Sequence, residues 1–338
     1  MQKTKRQSSQ KAGIKRTPFF KLPMTFDPAE IKKELDMARA FAVWPPEEPF
    51  GIQNFPGSNP EVFHDGQWVG MGLWTQGADW RKTDPGGPGL EPFMPTELLE
   101  SLPYFKELID SFKCEKRSVR FSSLPPGVEI GEHCDTYHDF KYGQIRLHMA
   151  VVTNPDVEVF IDGQRCIMQP GEMWYGDFSR PHYVKNGGSE ERVHLLMDLT
   201  INDWVLSLFP DDFVADVVAQ GYVAHEEAIQ PDLDILRKFE CDFMISAVMM
   251  KGIFETDDGI AGQYIGKLRE HHSALVLSVD DQPLITLKPI SENRFYLVGW
   301  CGERFFEMER DESDELCGLH LVIRHGHHQT RISLPLIL

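Results

Sequence analysis

The sequence lacks the features that would place the protein in a membrane, on nucleic acid or among disulfide-stabilised secreted proteins. No run of about 18 apolar residues occurs, so we expect no segment that spans a bilayer. Basic residues are in deficit, with 34 Lys and Arg against 52 Asp and Glu and a formal charge of −18, which disfavours nucleic acid as a partner. The six cysteines are scattered without a C-x-x-C pair, as in the reduced thiols of a cytoplasmic protein.

The composition is that of a chain with a sizeable packed core. Hydrophobic residues make up 41% and charged residues 25%, and 338 residues suit two domains. We predict a core domain at 26–205 and an α+β accessory domain at 211–338, which is also a candidate surface for a homodimer. Residues 1–25 are basic, with no acid before Asp27. They predict a disordered tail, although a transit peptide would have a similar composition.

The most informative pattern is His133-Cys134-Asp135, followed by His182. Two imidazoles and one carboxylate are the ligand set that holds non-haem Fe(II) and leaves positions open for oxygen chemistry. On an extended segment the residues at i and i+2 point the same way, so one short segment supplies two ligands. His182 lies 47 residues after Asp135, which leaves room for several intervening strands.

The intervening segment predicts a β-meander within a small barrel or sandwich. Polar and apolar residues alternate at the start of the run 144–152, and this alternation places Arg146 and His148 on one face. The dipeptide Asp162-Gly163 is typical of a two-residue hairpin turn. Short strands separated by Gly and Pro turns favour an all-β core over a helical metal site. Strands are expected at 144–152, 157–161, 165–168 and 173–175.

The register after His182 offers a link to Arg192. A three-residue turn at Asn186-Gly187-Gly188 would pair Lys185 with Ser189, and so His182 with Arg192. Arg192 would then lie close enough to the metal to hold the far carboxylate of a bound dicarboxylate. A two-residue loop would shift the register by one and turn Arg192 away, so both alternatives remain open.

At these residues the chain resembles the aspartyl/asparaginyl β-hydroxylase family. Within that family it looks more like the bacterial free-amino-acid hydroxylases such as the L-proline cis-4-hydroxylases. The resemblance covers roughly residues 117–200, and its motifs are specific as an ordered set although each alone is weak. The motifs are Phe121-Ser122-Ser123-Leu124-Pro125-Pro126-Gly127, His133-Cys134-Asp135, Ile145-Arg146-Leu147-His148, Thr153-Asn154-Pro155, Gly171-Glu172-Met173-Trp174, Pro181-His182 and Arg192-Val193-His194-Leu195-Leu196-Met197-Asp198.

The resemblance implies a mainly β fold with helices, in which a double-stranded β-helix of the jelly-roll or cupin type binds Fe(II) and the cosubstrate 2-oxoglutarate. Carried over position by position, His133, Asp135 and His182 would ligate the iron. Vertebrate members that modify folded domains lack the carboxylate at the position of Asp135. Its presence here favours small-molecule substrates and argues against a halogenase, which needs that coordination position for halide.

The same resemblance implies the residues that hold 2-oxoglutarate. Arg192 and Ser122 would bind its distal carboxylate, and Arg146 and His148 would lie beside its metal-binding end. His194 shares the face of Arg192 and is either a pocket residue or a core histidine.

The function expected is hydroxylation of an unactivated C–H bond of an amino acid with O2, whether the amino acid is free, in a peptide or on a carrier. The alternative is a cupin-like metal-binding sensor or scaffold without turnover. An amino-acid substrate needs its own cation, for which Arg180 is the first candidate because it lies two residues before His182. Further candidates are Arg117, Arg120 and Arg81.

Several other features have competing interpretations. His138 and Asp139 follow the metal motif closely, but the spacing carried over from the family favours His133 and Asp135. The run His325-Gly326-His327-His328 is either a metal site or, as we prefer, a solvated hairpin tip. Residues 44–98, rich in Pro, Gly and Trp, predict a long loop that packs over the core or forms a lid. Helices are expected at 28–39, 95–112, 211–220 and 231–250.

Overall fold

The computed structural model describes residues 17–41, 69–135, 137–230, 232–254 and 262–337. Most of the basic tail and the first part of the expected loop at 44–98, including Trp44, Trp68 and the Phe55-Pro56-Gly57 turn, lie outside these ranges. The end of the expected tail differs from the prediction, because Phe19–Thr25 forms a strand that pairs with Glu172–Gly176.

In the described ranges the core domain has eleven strands and five helices. The strands are β1 (Phe19–Thr25), β2 (Val69–Gln76), β3 (Phe93–Pro95), β4 (Lys116–Leu124), β5 (Glu129–His133), β6 (Gln144–Val152), β7 (Val157–Ile161), β8 (Gln164–Arg165), β9 (Glu172–Gly176), β10 (His182–Asn186) and β11 (Arg192–Thr200). The helices are α1 (Pro28–Phe41), α2 (Glu97–Glu100), α3 (Pro103–Asp110), α4 (Asp203–Leu206) and α5 (Asp211–Gln220), and a 3₁₀ helix spans Phe140–Tyr142.

The strands form two antiparallel sheets. The larger sheet has the order β1-β9-β6-β11-β4-β2-β3, and the smaller has the order β5-β10-β7-β8. From β4 to β11 the chain passes repeatedly from one sheet to the other, and this alternation defines a double-stranded β-helix, or jelly roll. The predicted double-stranded β-helix is therefore confirmed. The predicted meander is wrong, because strands that follow one another in sequence lie mostly in different sheets.

The two faces of the larger sheet differ in chemistry because residues alternate along each strand. On β11 the side chains of Val193 and Leu195 join an apolar cluster with Ile31 of α1 and Phe105 of α3, so the helices cover this face. The opposite face carries Arg192 and the other polar residues of β11, and it looks toward the smaller sheet. The interior between the sheets is therefore partly polar, whereas the sheet–helix layer is apolar.

In the core domain, the structure agrees with two local predictions and differs from two others. The turn at Asp162-Gly163 has positive φ at both residues, 49° and 71°, as a two-residue hairpin turn requires. Helix α5 begins and ends as expected, but its Val217 packs in the apolar cluster of the core domain, so the helix does not belong to the accessory domain predicted from residue 211. The strand expected at 165–168 ends at Arg165. Within the loop expected at 44–98, residues 69–76 form β2, which pairs with β4.

In its described residues, the C-terminal domain is a curled antiparallel sheet with two short helices, α6 (Leu233–Arg237) and α7 (Ala247–Phe254). Its strands run in the order β19-β18-β17-β16-β15-β14-β13-β12-β20. They are β12 (Cys241–Ser246), β13 (Gln263–His271), β14 (Ala274–Val279), β15 (Gln282–Pro289), β16 (Arg294–Leu297), β17 (Arg304–Arg310), β18 (Leu316–His325), β19 (His328–Ser333) and β20 (Leu336–Ile337).

The long helix expected at 231–250 is wrong. Residues 241–246 form β12, with Phe243 and Ile245 fully buried in the core of the C-terminal sheet. Apolar residues two apart in this segment are compatible with a strand, and pairing with β13 along the whole of β12 decides the outcome. None of the helices in the described ranges has both the length and the apolar character that crossing a membrane requires.

Candidate metal centre

Three expected metal ligands meet at one end of the smaller sheet. His133 ends β5, His182 begins β10, and the two are directly opposed in the antiparallel register. Their ring centroids lie 4.1 Å apart. Asp135 follows β5, and one ligand atom from each of the three residues lies within 4.8 Å of the others. This spacing is suited to one metal ion bound by two imidazoles and a carboxylate.

Backbone carbonyls orient both histidines. The Nδ1 atom of His133 lies 2.8 Å from the carbonyl oxygen of Gly131, and Nδ1 of His182 lies 2.9 Å from that of Arg180. A carbonyl oxygen only accepts, so each Nδ1 carries the proton and each Nε2 keeps a lone pair for a metal. Burial is the largest influence on His182 and lowers its pKa to about 4, so its ring is neutral at pH 7.

Asp135 is held in its ionised form by its neighbours. Burial alone would raise its pKa, but the Arg146 guanidinium and, less strongly, the nearby histidines lower the pKa of this carboxyl below its ordinary value. Nη1 of Arg146 donates a hydrogen bond to Oδ2 of Asp135. A metal ligand must be deprotonated, so Asp135 is in its binding form at neutral pH.

A buried ion-pair network on the larger sheet supports Arg146. Asp198, which is fully buried on β11, accepts hydrogen bonds from Nε and Nη2 of Arg146 at 2.6 and 3.0 Å. Nη1 of Arg120 donates to the same carboxylate at 3.1 Å, and Nε2 of His138 lies 3.2 Å from it. Burial would raise the pKa of Asp198, but these three groups hold it well below its ordinary value.

Sequence reasoning assigned no role to Asp198 and set His138 aside. A usable signal was present for Asp198, because it is the acidic residue in a strand whose remaining residues are mostly apolar. A buried carboxylate in such a position requires cationic partners. Those partners, Arg146 and Arg120, lie on β6 and β4, the two strands that flank β11.

A cluster of buried basic side chains, formed by Arg192, His148 and His194, lies on the interior face next to the metal centre. Arg192 is 2% exposed, and its Nη2 lies 2.8 Å from Nδ1 of His194. Its Nε is buried without a hydrogen-bond partner, and among the described residues no carboxylate forms an ion pair with it. Burial without such a partner lowers the pKa of Arg192 to about 9, which leaves it charged at pH 7.

His148 and Phe178 connect this cluster to the metal ligands. The His148 ring stacks on Phe178 at 4.3 Å, and Phe178 meets the His182 ring edge-on at 5.0 Å. Both ring nitrogens of His148 and Nε2 of His194 are buried without hydrogen-bond partners. Burial lowers the pKa of both histidines well below the ordinary value. Ser122 on β4 is directly opposed to His194, so it shares this face.

The predicted hairpin between His182 and Arg192 is wrong. β10 belongs to the smaller sheet and β11 to the larger, so the residues between them cross from one sheet to the other. His182 is opposed to His133 and Ile161, and Arg192 to Leu124. Arg192 nevertheless faces the interior, because its strand presents its polar face to the smaller sheet.

The expected substrate arginines lie in four different environments. Arg180 donates to Asp177 at 2.7 Å and to Asp162 at 2.9 Å, so its charge is already balanced. Arg81 is exposed and pairs with Asp79. Arg117 is buried against the C-terminal domain, and Arg120 belongs to the Asp198 network. Arg120 is therefore the one of the four that joins the polar interior beside the metal ligands.

The remaining histidine cluster does not form a second centre. In the part of the chain that the structure describes, the triad is the group whose ligand atoms have metal-binding spacing. A hairpin forms at 325–328 with His327 and His328 exposed, as expected for a solvated tip, whereas His325 stacks on Tyr142 of the core domain at 4.4 Å.

The fold and the site define the chain as a double-stranded β-helix protein in which two histidines and one carboxylate have the spacing of metal ligands. The sequence model of the aspartyl/asparaginyl beta-hydroxylase family matches residues 29–201. The chain belongs to this family, which confirms the resemblance found in the sequence.

Individual relatives were also found. The L-proline cis-4-hydroxylase of Rhizobium meliloti (strain 1021) is 29% identical over 128 residues, which are 37% of this chain and 44% of the relative. The chain thus spans less than half the length of this curated relative. A prolyl-4-hydroxylase structure from Pseudomonas putida is similar over 55% of this chain and 93% of its own, with 14% identity and a TM-score of 0.34. A 2OG-Fe(II) oxygenase family oxidoreductase from Burkholderia pseudomallei is similar over 54% and 84%, with 15% identity and a TM-score of 0.34.

Proposed function

We propose that the protein is an Fe(II)- and 2-oxoglutarate-dependent hydroxylase that acts on an unactivated C–H bond of an amino acid. The observation that carries the proposal is Arg192, a buried cation without a carboxylate partner among the described residues, on the same interior as the triad. A buried charge without a partner is strongly destabilising, so its presence indicates an anionic ligand. Membership of the hydroxylase family supports the same conclusion.

The triad fits ferrous iron. His133 and His182 offer Nε2 lone pairs, and Asp135 offers an ionised carboxylate. Three ligands on one side leave positions for a chelating cosubstrate and for O2. Iron and 2-oxoglutarate, when bound, would supply the oxidising chemistry, and the protein would position the reactants and exclude water. Arg146 would hold Asp135 in the orientation that the metal requires.

The cluster of buried basic side chains fits the distal carboxylate of 2-oxoglutarate. The planar guanidinium of Arg192 matches a carboxylate with two parallel hydrogen bonds, and Ser122 lies on the neighbouring strand. His148 would lie near the metal-binding end of the cosubstrate, because its ring stacks on Phe178 and Phe178 in turn contacts the ring of His182. Both buried histidines are neutral and can donate one hydrogen bond without adding charge.

The substrate class rests on the relative that is an L-proline cis-4-hydroxylase, so L-proline is the first compound to test. A free amino acid, a peptide residue and a carrier-bound residue are all within the proposal. Arg120, in the polar interior, and Arg180, before His182, are the candidate cations for its carboxylate, and each would share its charge with the aspartates that it already contacts. A cytoplasmic location and a homodimer through the C-terminal domain stay predictions.

Anaerobic titration tests the cosubstrate site. Fe(II) followed by 2-oxoglutarate should produce a visible metal-to-ligand charge-transfer band that saturates at one equivalent. A metal-binding sensor or scaffold without cosubstrate would bind Fe(II) and give no band, and that result would overturn the proposal. Succinate release in the presence of O2 should then rise when the correct amino acid is added. A panel of amino acids, beginning with L-proline, would identify the substrate.

A further inference from the structure

Among the described residues from 134 to 143, regular structure is limited to the 3₁₀ helix at Phe140–Tyr142. Asp135 lies between the end of β5 and the 3₁₀ helix, beyond the strand ladder. In the core domain, its backbone NH donates to the carbonyl oxygen of Phe178 at 2.8 Å, and the NH of His138 donates to the carbonyl oxygen of Asp135 at 3.1 Å. Core-domain contacts also hold the segment, since Arg146 donates to the Asp135 side chain and Phe140 is buried. Loops outside a strand ladder nevertheless open more easily than core strands, so the position of Asp135 also depends on what packs against the neighbouring residues.

The C-terminal sheet packs against this segment through Trp300 and Arg304. The Tyr137 ring, two residues after Asp135, lies 6.3 Å from the Trp300 ring at an interplanar angle of 69°. The Arg304 guanidinium lies 3.8 Å from the centre of the Trp300 ring and 6.0 Å from that of Tyr137. Cation–π contacts at these distances are attractive, and they strengthen when water is excluded.

Trp300 and Arg304 are themselves fixed to the C-terminal domain. Nε1 of Trp300 donates to the carbonyl oxygen of Ile253 at 3.0 Å, and Nη1 of Arg304 donates to that of Gly252 at 2.8 Å. Arg304 is 6% exposed. Both side chains are therefore anchored at helix α7, and they can restrict a neighbour rather than follow it.

The far end of the same segment is also held by the C-terminal domain. The NH of Gly326 donates to the carbonyl oxygen of Lys141 at 2.9 Å, beside the stack of His325 on Tyr142. Gly143 approaches so closely that a Cβ there would lie 3.2 Å from the carbonyl oxygen of Cys301. Contacts from the second domain thus hold the segment at two places.

We propose that Trp300 and Arg304 are positioning residues for the metal-ligand segment, so that the C-terminal sheet is an integral part of the metal centre. The inference rests on the proposed function in one respect, the role of Asp135 as a metal ligand. It gives the C-terminal domain a defined task, which is to hold residues 137–143 in the conformation that presents Asp135 to the metal.

The test measures metal affinity and backbone protection in the full chain. Co(II) binding by calorimetry should weaken about tenfold in Trp300→Leu, as expected for loss of an outer contact to a metal site. Amide hydrogen exchange across 134–143 should accelerate, and the visible bands of bound Co(II), which report its ligand arrangement, should change. Trp300→Phe keeps an aromatic ring and should restore most of the affinity.

Phe239→Leu is the matched control, because Phe239 is a fully buried aromatic of the same domain that packs on Phe295. It should leave Co(II) affinity within about twofold, since it removes no contact to the metal segment. Equal losses in Phe239→Leu and Trp300→Leu would reduce the effect to general loosening of the sheet and overturn the inference. Unchanged affinity in Trp300→Leu would also overturn it.

A double-mutant cycle tests the contact from the other side and serves if Trp300→Leu folds poorly. Tyr137→Leu and Trp300→Leu each remove the same contact, the one between the two rings. The double variant should therefore weaken Co(II) binding by less than the sum of the two single effects. Additive losses would contradict the inference. Absence of Co(II) binding in the unaltered protein would refute the proposed metal site itself, an outcome distinct from a failure of the variants alone.

Discussion

Arg192→Met is the substitution that most directly tests the cosubstrate pocket. The guanidinium is 2% exposed, so solvent screens its interaction with a bound carboxylate very little. Truncating one partner of a buried, charge-assisted pair costs about 2–5 kcal/mol. At about 1.4 kcal/mol per tenfold change, the Kd for 2-oxoglutarate should rise by about 30-fold or more. Metal affinity should change little, because Arg192 contacts none of the three ligands in the structure.

The ligand offers an independent truncation. 2-Oxobutanoate keeps the metal-chelating end of 2-oxoglutarate but lacks the distal carboxylate. The unaltered protein should bind it more weakly by a similar factor, whereas Arg192→Met should hardly distinguish the two compounds. Charge-transfer titration under anaerobic conditions gives the affinity of each protein, unaltered and Arg192→Met, for each of the two compounds. If Arg192→Met still prefers 2-oxoglutarate strongly, another cation holds the carboxylate and the reasoning fails.

The same variant makes a prediction about the free protein. Arg192 is a buried cation without an ion-pair partner among the described residues, so replacing it with an apolar side chain of similar length should not destabilise the fold. The melting temperature without ligand should stay the same or rise. The stabilisation gained on adding metal and 2-oxoglutarate should shrink, because less ligand binding is linked to folding.

Further predictions concern the metal ligands, the pH dependence and the substrate. Asp135→Ala should abolish tight Co(II) binding measured by calorimetry, while Asp139→Ala should not; the reverse would exchange their roles. Below about pH 6.5 the unfolded chain protonates His148 and His194 but the folded chain does not, so stability should fall by about 1.4 kcal/mol per pH unit for each histidine. Urea unfolding at pH 7.5 and 5.5 should show a smaller loss in His194→Asn, and an equal loss would refute this origin. Arg180→Ala should keep the basal release of succinate, but addition of the amino acid should no longer increase that release. A normal increase would exclude Arg180 from substrate binding.

Local patterns predicted the parts of the site that depend on local geometry. The spacing of His133 and Asp135 brings two ligands together within three residues, and the alternation of β6 correctly places Arg146 and His148 on one face. The Asp162-Gly163 turn also follows from local backbone preferences. Each of these inferences needs only a few consecutive residues, and no knowledge of which strands pair.

Inferences about pairing between strands were less successful. The proposed hairpin after His182 assumed that neighbours in sequence are neighbours in the sheet, and the crossing from β10 to β11 breaks that assumption. The cationic partners of Asp198 could not be identified for the same reason, since they come from β4 and β6. At 241–246, pairing with β13 forms a strand where helical periodicity was expected.

The alternation of strands between the two sheets also has a consequence for how the protein folds. The strand pairing that places His133 opposite His182 joins positions separated by several strands. The long stretch of chain between them must close, at a cost in entropy, before this pairing can form. Topologies dominated by such distant pairings fold slowly. The metal centre should therefore be among the last features to form, after the apolar layer has collapsed. Metal capture during refolding would then report complete assembly of the chain rather than an early local structure.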